Sequence, residues 1–231
     1  MLSDIFSTFD DHNSVFLSSY WVLWLTSLYV IIFYSSSLWL PPTRPNILLS
    51  IPKSIMLSQI KRTFGQNLLG MPLILPSLFL FLILLNLLGL LPYVFSPTAH
   101  LAMTASLAVP LWLSMILSSY TLNPHQTFSH LLPTGTPAPL SPFLSIIEGV
   151  SITVRPLTLS VRLAANMGAG HIILGLIGNY LSSWVFTLSA TIVLIVLMIQ
   201  IGYFLFEVGV SLIQGYIFSL LLSLYSDDHA N

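Results

Sequence analysis

The chain has 231 residues, of which 55% are hydrophobic and only 6% charged. Its mean hydropathy of +0.92 is that of a membrane protein rather than a soluble domain. A net charge of −1 argues against a nucleic-acid partner drawn in by bulk charge, and the absence of cysteine excludes disulfides and thiolate metal sites.

The opening "MLSDIFSTFDDHNS" holds three aspartates and no basic residue. It is unlike a secretory leader or an arginine-rich transit peptide, so no cleaved targeting segment is expected. A first apolar run, about 15–40, carries Trp21, Trp24 and Trp39 and can cross a hydrocarbon core of roughly 30 Å. "LPPTRP" ends it, because successive prolines cannot continue a helix. In "ILLSIPKSIMLSQIKRTF" apolar and basic residues alternate at helical spacing. That pattern predicts an amphipathic helix over about 52–66 on the membrane surface, with a solvated loop as the competing reading.

Two crossings follow, over 71–91 and 101–122, joined by the Pro-containing loop "PYVFSPTAH". The polar, Pro-rich "NPHQTFSHLLPTGTPAPLSP" then breaks the chain, and two long segments, 143–177 and 185–225, close it. Helices of those lengths reach roughly 50 and 60 Å at ~1.5 Å per residue, so they must be strongly tilted or broken to fit a bilayer. The expected fold is an all-α membrane protein, a single integral membrane domain over 1–231 with five crossings and one amphipathic surface helix. No soluble domain or internal repeat is evident. Four of the six basic residues (Arg44, Lys53, Lys61 and Arg62) follow the first crossing, and no charged residue lies between Arg62 and Glu148. The positive-inside rule therefore places that connection and the C-terminal "SDDHAN" inside and the N-terminus outside.

The chemistry concentrates in the last two segments. Glu148, Arg155 and Arg162 are seven residues apart, and seven steps of ~100° overshoot two turns by only about 20°, so they share a face. Asn166 extends that stripe. The last segment repeats the spacing with Gln200, Glu207 and Gln214, with Ser211 and Tyr216 nearby. A charge at mid-membrane costs ~2.5–3.5 kcal/mol on insertion scales, so such groups face protein or water rather than lipid. Two polar seams can line a water-accessible path. The bland alternative is a set of satisfied pairs that hold helices together, Glu148 with Arg155, and Glu207 with Gln200 or Ser211.

Arg162 keeps its proton and suits a fixed barrier or counter-ion, whereas glutamate and His171 can exchange protons. His171 lies nine residues, or about half a turn, round from Arg162 and serves another wall of the same helix. Ala164/Gly168 and Ala165/Ala169 are small-xxx-small pairs that let a helix approach closely, whether a partner's or one of this chain's own.

"IIEGVSITVRPLTLSVRLAANMGAGHIIL" with "EVGVSLIQGYIFSLLLSLY" resembles the a subunits of F-type ATP synthases, and "LLNLLGLLPYVFSPTAHLAMTASLAVPLW" and "LPTGTPAPLSPFLSIIE" match as well. The resemblance covers nearly the whole chain and is most like animal mitochondrial versions. It implies a proton-translocating stator subunit beside a rotating ring of c subunits. Carried over by position, Arg162 faces the c-subunit carboxylate, and His171 and Glu207 belong to a half-channel open to the intermembrane space. Glu148 belongs to the matrix half-channel, and Asn166 and Gln214 are polar neighbours of the arginine. At Arg155 some relatives carry a neutral residue, and pairing with Glu148 is expected. Gln200, Ser211 and Tyr216 are accessory candidates.

The resemblance also implies a multi-pass protein of the mitochondrial inner membrane, its N-terminus in the intermembrane space and its C-terminus in the matrix. Its partners are the c-ring, other stator and membrane-sector subunits, the lipid bilayer and protons, with no nucleic acid. No cofactor, metal or active site of its own is expected, only a non-catalytic role in a proton-transporting two-sector ATP synthase. A proton-coupled antiporter, an intramembrane hydrolase and a structural anchor are the competing classes. The first usually shows an internal repeat, the second a nucleophile or metal motif, and the third does not account for two polar seams.

Overall fold

A computed structural model describes residues 44–63, 70–91, 94–122, 140–184 and 190–227, together with Gly65, Leu68, Pro124 and Thr127. The expected crossing at 15–40, most of the connection at 123–142 and the end of "SDDHAN" lie outside the described residues. Among the described residues the protein is all α-helical: α1 (Arg44–Ile60), α2 (Met71–Gly89), a short 3-10 turn (Pro97–Ala99), α3 (Leu101–Leu122), α4 (Ser141–Trp184) and α5 (Ala190–Asp227). The last four α-helices are long and apolar enough to cross a membrane.

The surface helix expected over about 52–66 is a helix from Arg44 to Ile60 instead. Pro52 reads as a first-turn proline, the position where its missing N–H costs least, yet the helix starts one residue before Pro45 and carries Pro52 inside. Its described apolar side chains form two faces rather than one. Met56 and Ile60 are buried, while Ile47, Ile51 and Ile55 stand exposed in a row one turn apart. The interleaved Ser50, Ser54 and Ser58 each donate a 2.7 Å hydrogen bond to the carbonyl of the preceding isoleucine in that row, so the stripe carries no unsatisfied hydroxyl.

α2 starts at a turn only glycine adopts without penalty: Gly70 has φ +94, in the left-handed region. Proline in the first helical turn follows it. α3 runs over the residues expected for it. α4 begins two residues before the expected Phe143, and it continues through Gly178 and Asn179, residue types that commonly end helices, as far as Trp184. It is also continuous through Pro156. Its 44 residues correspond to about 66 Å at ~1.5 Å per residue, more than the roughly 30 Å hydrocarbon thickness of a bilayer.

α2 packs on α5, α3 on α4, and α4 on α5, with α1 against α2. Between them lies one apolar core that includes Met56, Leu75, Phe79, Leu82, Met115, Leu159, Leu163, Phe218 and Leu222. Lipid is as apolar as these side chains, so dispersion contacts and close fit hold the core, rather than removal from water. The Phe79 and Tyr216 rings meet edge to face, 6.3 Å between centroids at 70°, a geometry worth ~0.5–1.5 kcal/mol. The α5 face toward α1 and α2 is kept small by the buried Ser211, Ser219, Ser223 and Ser226. Each of these hydroxyls donates to a carbonyl of its own helix, so helices approach without stranded polar groups.

Candidate proton pathway between the last two helices

Three polar groupings lie along the α4–α5 pair. At the start of α4, Arg155 Nη2 stands 3.5 Å from Glu148 Oε1. The seven-residue spacing does place these two side chains on one face, as expected. Both are partly exposed, and the Arg155 guanidinium also lies over the Tyr225 ring near the end of α5, 5.3 Å from its centroid.

The second grouping joins the two helices. Asn166 donates a 2.8 Å hydrogen bond from Nδ2 to Gln214 Oε1. Gln214 is buried, and its Nε2 has no hydrogen-bond partner among the described residues. From the other side α2 contributes Asn86, fully buried, whose Nδ2 donates to the Ser211 carbonyl at 3.3 Å while its Oδ1 has no described partner.

Glu207 forms the third. It is 2% exposed, and its carboxyl lies directly on the α4 backbone at Gly170, where a Cβ would collide with both oxygens. Tyr203, one turn earlier on α5, neighbours that carboxyl, and Oε1 is buried without a described partner. Unpartnered amide and carboxyl atoms in such surroundings are costly unless water reaches them. Three of them (on Glu207, Asn86 and Gln214) fall along two turns of α5 and the α2 residue that touches it. His171, next to Gly170, is half-buried, and its Nε2 lies 3.8 Å from the place a Cβ on Gly89 of α2 would occupy.

Arg162 is elsewhere. It is exposed and makes no hydrogen bond or ion pair with a described residue. Ala165 and Ala169 are exposed on the same side of α4, leaving a shallow strip around the guanidinium. His171 and Arg162 therefore occupy different walls of α4, as their spacing predicts.

The chain's sequence matches a protein family described as ATP synthase A chain over residues 16–227. A relative named ATP synthase subunit a from Artemia franciscana is 41% identical, covering 99% of this chain and 100% of its own. Relatives of the same name from Locusta migratoria and Drosophila melanogaster are 38% and 40% identical, each covering 99% of both chains. This chain belongs to the ATP synthase A chain family. Within that family its membrane helices and polar seams have a common context, the membrane sector of an ATP synthase.

Several of the residues singled out from sequence come together in this chain, and others do not. Asn166 with Gln214, and Glu148 with Arg155, are direct partners. Gln200 contacts neither Glu207 nor Ser211 through a hydrogen bond among the described residues, but its Nε2 lies near Gly178 of α4. Ser211 turns its hydroxyl to the Val208 carbonyl and presents its own carbonyl to Asn86. Tyr216 packs against Phe79 in the core, away from the seam. Four residues were not anticipated: Asn86, Gly170, Tyr203 and Tyr225. Asn86 had a legible signal, an amide inside an uncharged span, which is a functional pointer in membranes. Tyr203 had another, its position one turn before Glu207.

Proposed function

We propose that this chain is the proton-translocating stator subunit of its ATP synthase membrane sector, forming two offset proton half-channels against a c-ring and separated by Arg162. The carrying observation is the contrast within one helix pair. Glu207 is enclosed between α4 and α5, with buried polar atoms leading toward Gln214 and Asn166, while Arg162 stands exposed on a strip of small residues.

In this reading a proton enters past His171 and Glu207 and neutralises a carboxyl on the ring. Neutral, that carboxyl can turn into lipid, where its charged form costs several kcal/mol (~2.5–3.5 on insertion scales). After nearly a full rotation it releases the proton toward Glu148. Arg162, which cannot give up its own proton, attracts the carboxylate so formed and bars direct passage between the two routes. Asn166 and Gln214 hold α4 and α5 in register beside it. Each proton moved down 100 mV supplies ~2.3 kcal/mol, so several are required per ATP. The chain would sit in the mitochondrial inner membrane as a multi-pass protein, its N-terminus in the intermembrane space, its C-terminus in the matrix, and α1 at the membrane surface. The ring and other stator subunits would be its partners.

The test is Arg162→Ala in the complex reconstituted into liposomes under an imposed proton gradient. ATP synthesis should fall to background, with Arg162→Lys restoring little because a compact ammonium lacks the planar fork that matches a carboxylate. Synthesis at the wild-type rate in Arg162→Ala would remove the arginine from its assigned role.

A further inference from the structure

The Arg155 side chain meets partners on two different helices. On α4 its Nη2 stands 3.5 Å from Glu148 Oε1, and on α5 the Tyr225 ring lies beneath its guanidinium at 5.3 Å. Tyr225 in turn packs against the apolar core. Glu148 sits two turns toward the start of α4, and Tyr225 is near the end of α5, so Arg155 is where these two helix ends are tied together. A guanidinium suits both contacts at once: its edge offers N–H groups to a carboxylate while its flat face covers an aromatic ring. An ammonium can serve the first contact but not stack in the second.

We infer that Arg155 is a positioning residue for Glu148, holding its carboxylate over the α5 terminus by bridging it to Tyr225. The inference rests on the reading that Glu148 borders a proton passage. A carboxylate on a partly exposed helix face has several rotamers, and a proton relay works through only those that bring it within hydrogen-bond reach of the next carrier. Arg155 narrows that set from one side, and the Tyr225 ring fixes Arg155 from the other. Because Arg155 never touches the transported proton in this scheme, its effect depends entirely on Glu148 being present.

That dependence supplies the experiment. Proton flux and ATP synthesis are measured in the assembled, reconstituted complex for E148Q, R155Q, R155K, Y225F and Y225L, and for E148Q combined with R155Q. E148Q should lower flux strongly, R155Q and Y225L each about three- to tenfold, and R155K by an intermediate amount. Y225F keeps the ring and should match the wild type. The double variant should be no slower than E148Q alone.

Wild-type flux in R155Q, or a full R155Q penalty added on top of E148Q, overturns the positioning role. Equal losses in Y225F and Y225L overturn the ring's part in it. If E148Q itself leaves flux intact, the passage reading fails rather than this inference. Should R155Q not assemble, R155K and Y225L decide by the same criteria, because both retain the bulk of the site.

Discussion

Gly170 owes its identity to what faces it. A Cβ there would overlap the Glu207 carboxyl, whereas a Cβ at Gly168, two residues earlier, meets nothing within 4 Å. The two glycines look alike in "NMGAGH", and only the position of α5 separates them. Gly170→Ala should therefore displace the carboxyl, break its contact with Tyr203 and cut proton flux by about tenfold or more, the equivalent of ~1.4 kcal/mol in barrier. Gly168→Ala should leave flux within about twofold of wild type. Flux measured in the two reconstituted variants checks this, and equal effects would show that Glu207 has room the packing denies. The same residue-scale logic separates the amides. Asn166 and Gln214 bond across helices and leave a Gln214 donor buried, while Asn86 holds a backbone carbonyl of α5 and keeps an acceptor buried.

Between elements, the distance from α2 to α5 is set by what α5 lacks. At Gly215 a Cβ would stand 2.9 Å from Ile83 Cγ1, and the serines along the same side are the smallest polar residues that still satisfy themselves. Gly215→Ala already puts a Cβ against Ile83 Cγ1, the near end of a β-branched side chain with one favoured rotamer in a helix, so something must shift. Gly215→Val forces the helices apart and should cost ~1–3 kcal/mol, the usual penalty for overpacking, seen as a lower thermal midpoint of the complex in detergent. An unchanged midpoint for the valine variant would mean that the close approach contributes nothing. This is also where sequence reading stops. Helix positions were legible because apolar runs of membrane length are bounded by Pro-rich breaks, and α3 falls on the residues expected of it. One seven-residue step was legible because periodicity alone puts residues on one face, which is why Glu148 and Arg155 meet. Contacts between helices leave no period. Nothing in the spacing of Gly170 and Glu207, of Asn86 and Ser211, or of Arg155 and Tyr225 says that they touch, and the true ends of α1 and α4 run against local glycine and proline signals.

On the scale of the molecule, apolar surface is abundant and one strip of it is different. Leu194, Met198 and Leu205 of α5 and Ile146 of α4 are each more than half exposed, as lipid contact permits. The strip of Arg162, Ala165 and Ala169 is exposed too, but a guanidinium facing hydrocarbon is costly, and two alanines on the same side fill little space. A charge that needs a counter-charge, set among side chains that allow close approach, fits a moving partner rather than lipid. Bulk added there should therefore act on assembly and not on folding. Ala165→Phe leaves the buried faces of α4 untouched, so the chain should insert and retain its helix pairing, yet proton flux should fall at least tenfold, or ~1.4 kcal/mol. The ring of small helical hairpins should also be lost from the purified complex more readily. Leu117→Phe, at an exposed site of α3, adds an aromatic ring outside the Arg162 strip and should change neither. Flux and ring content measured side by side in both variants decide the matter. Wild-type behaviour of Ala165→Phe would mean that the strip faces lipid after all and that Arg162 finds its counter-charge within the chain.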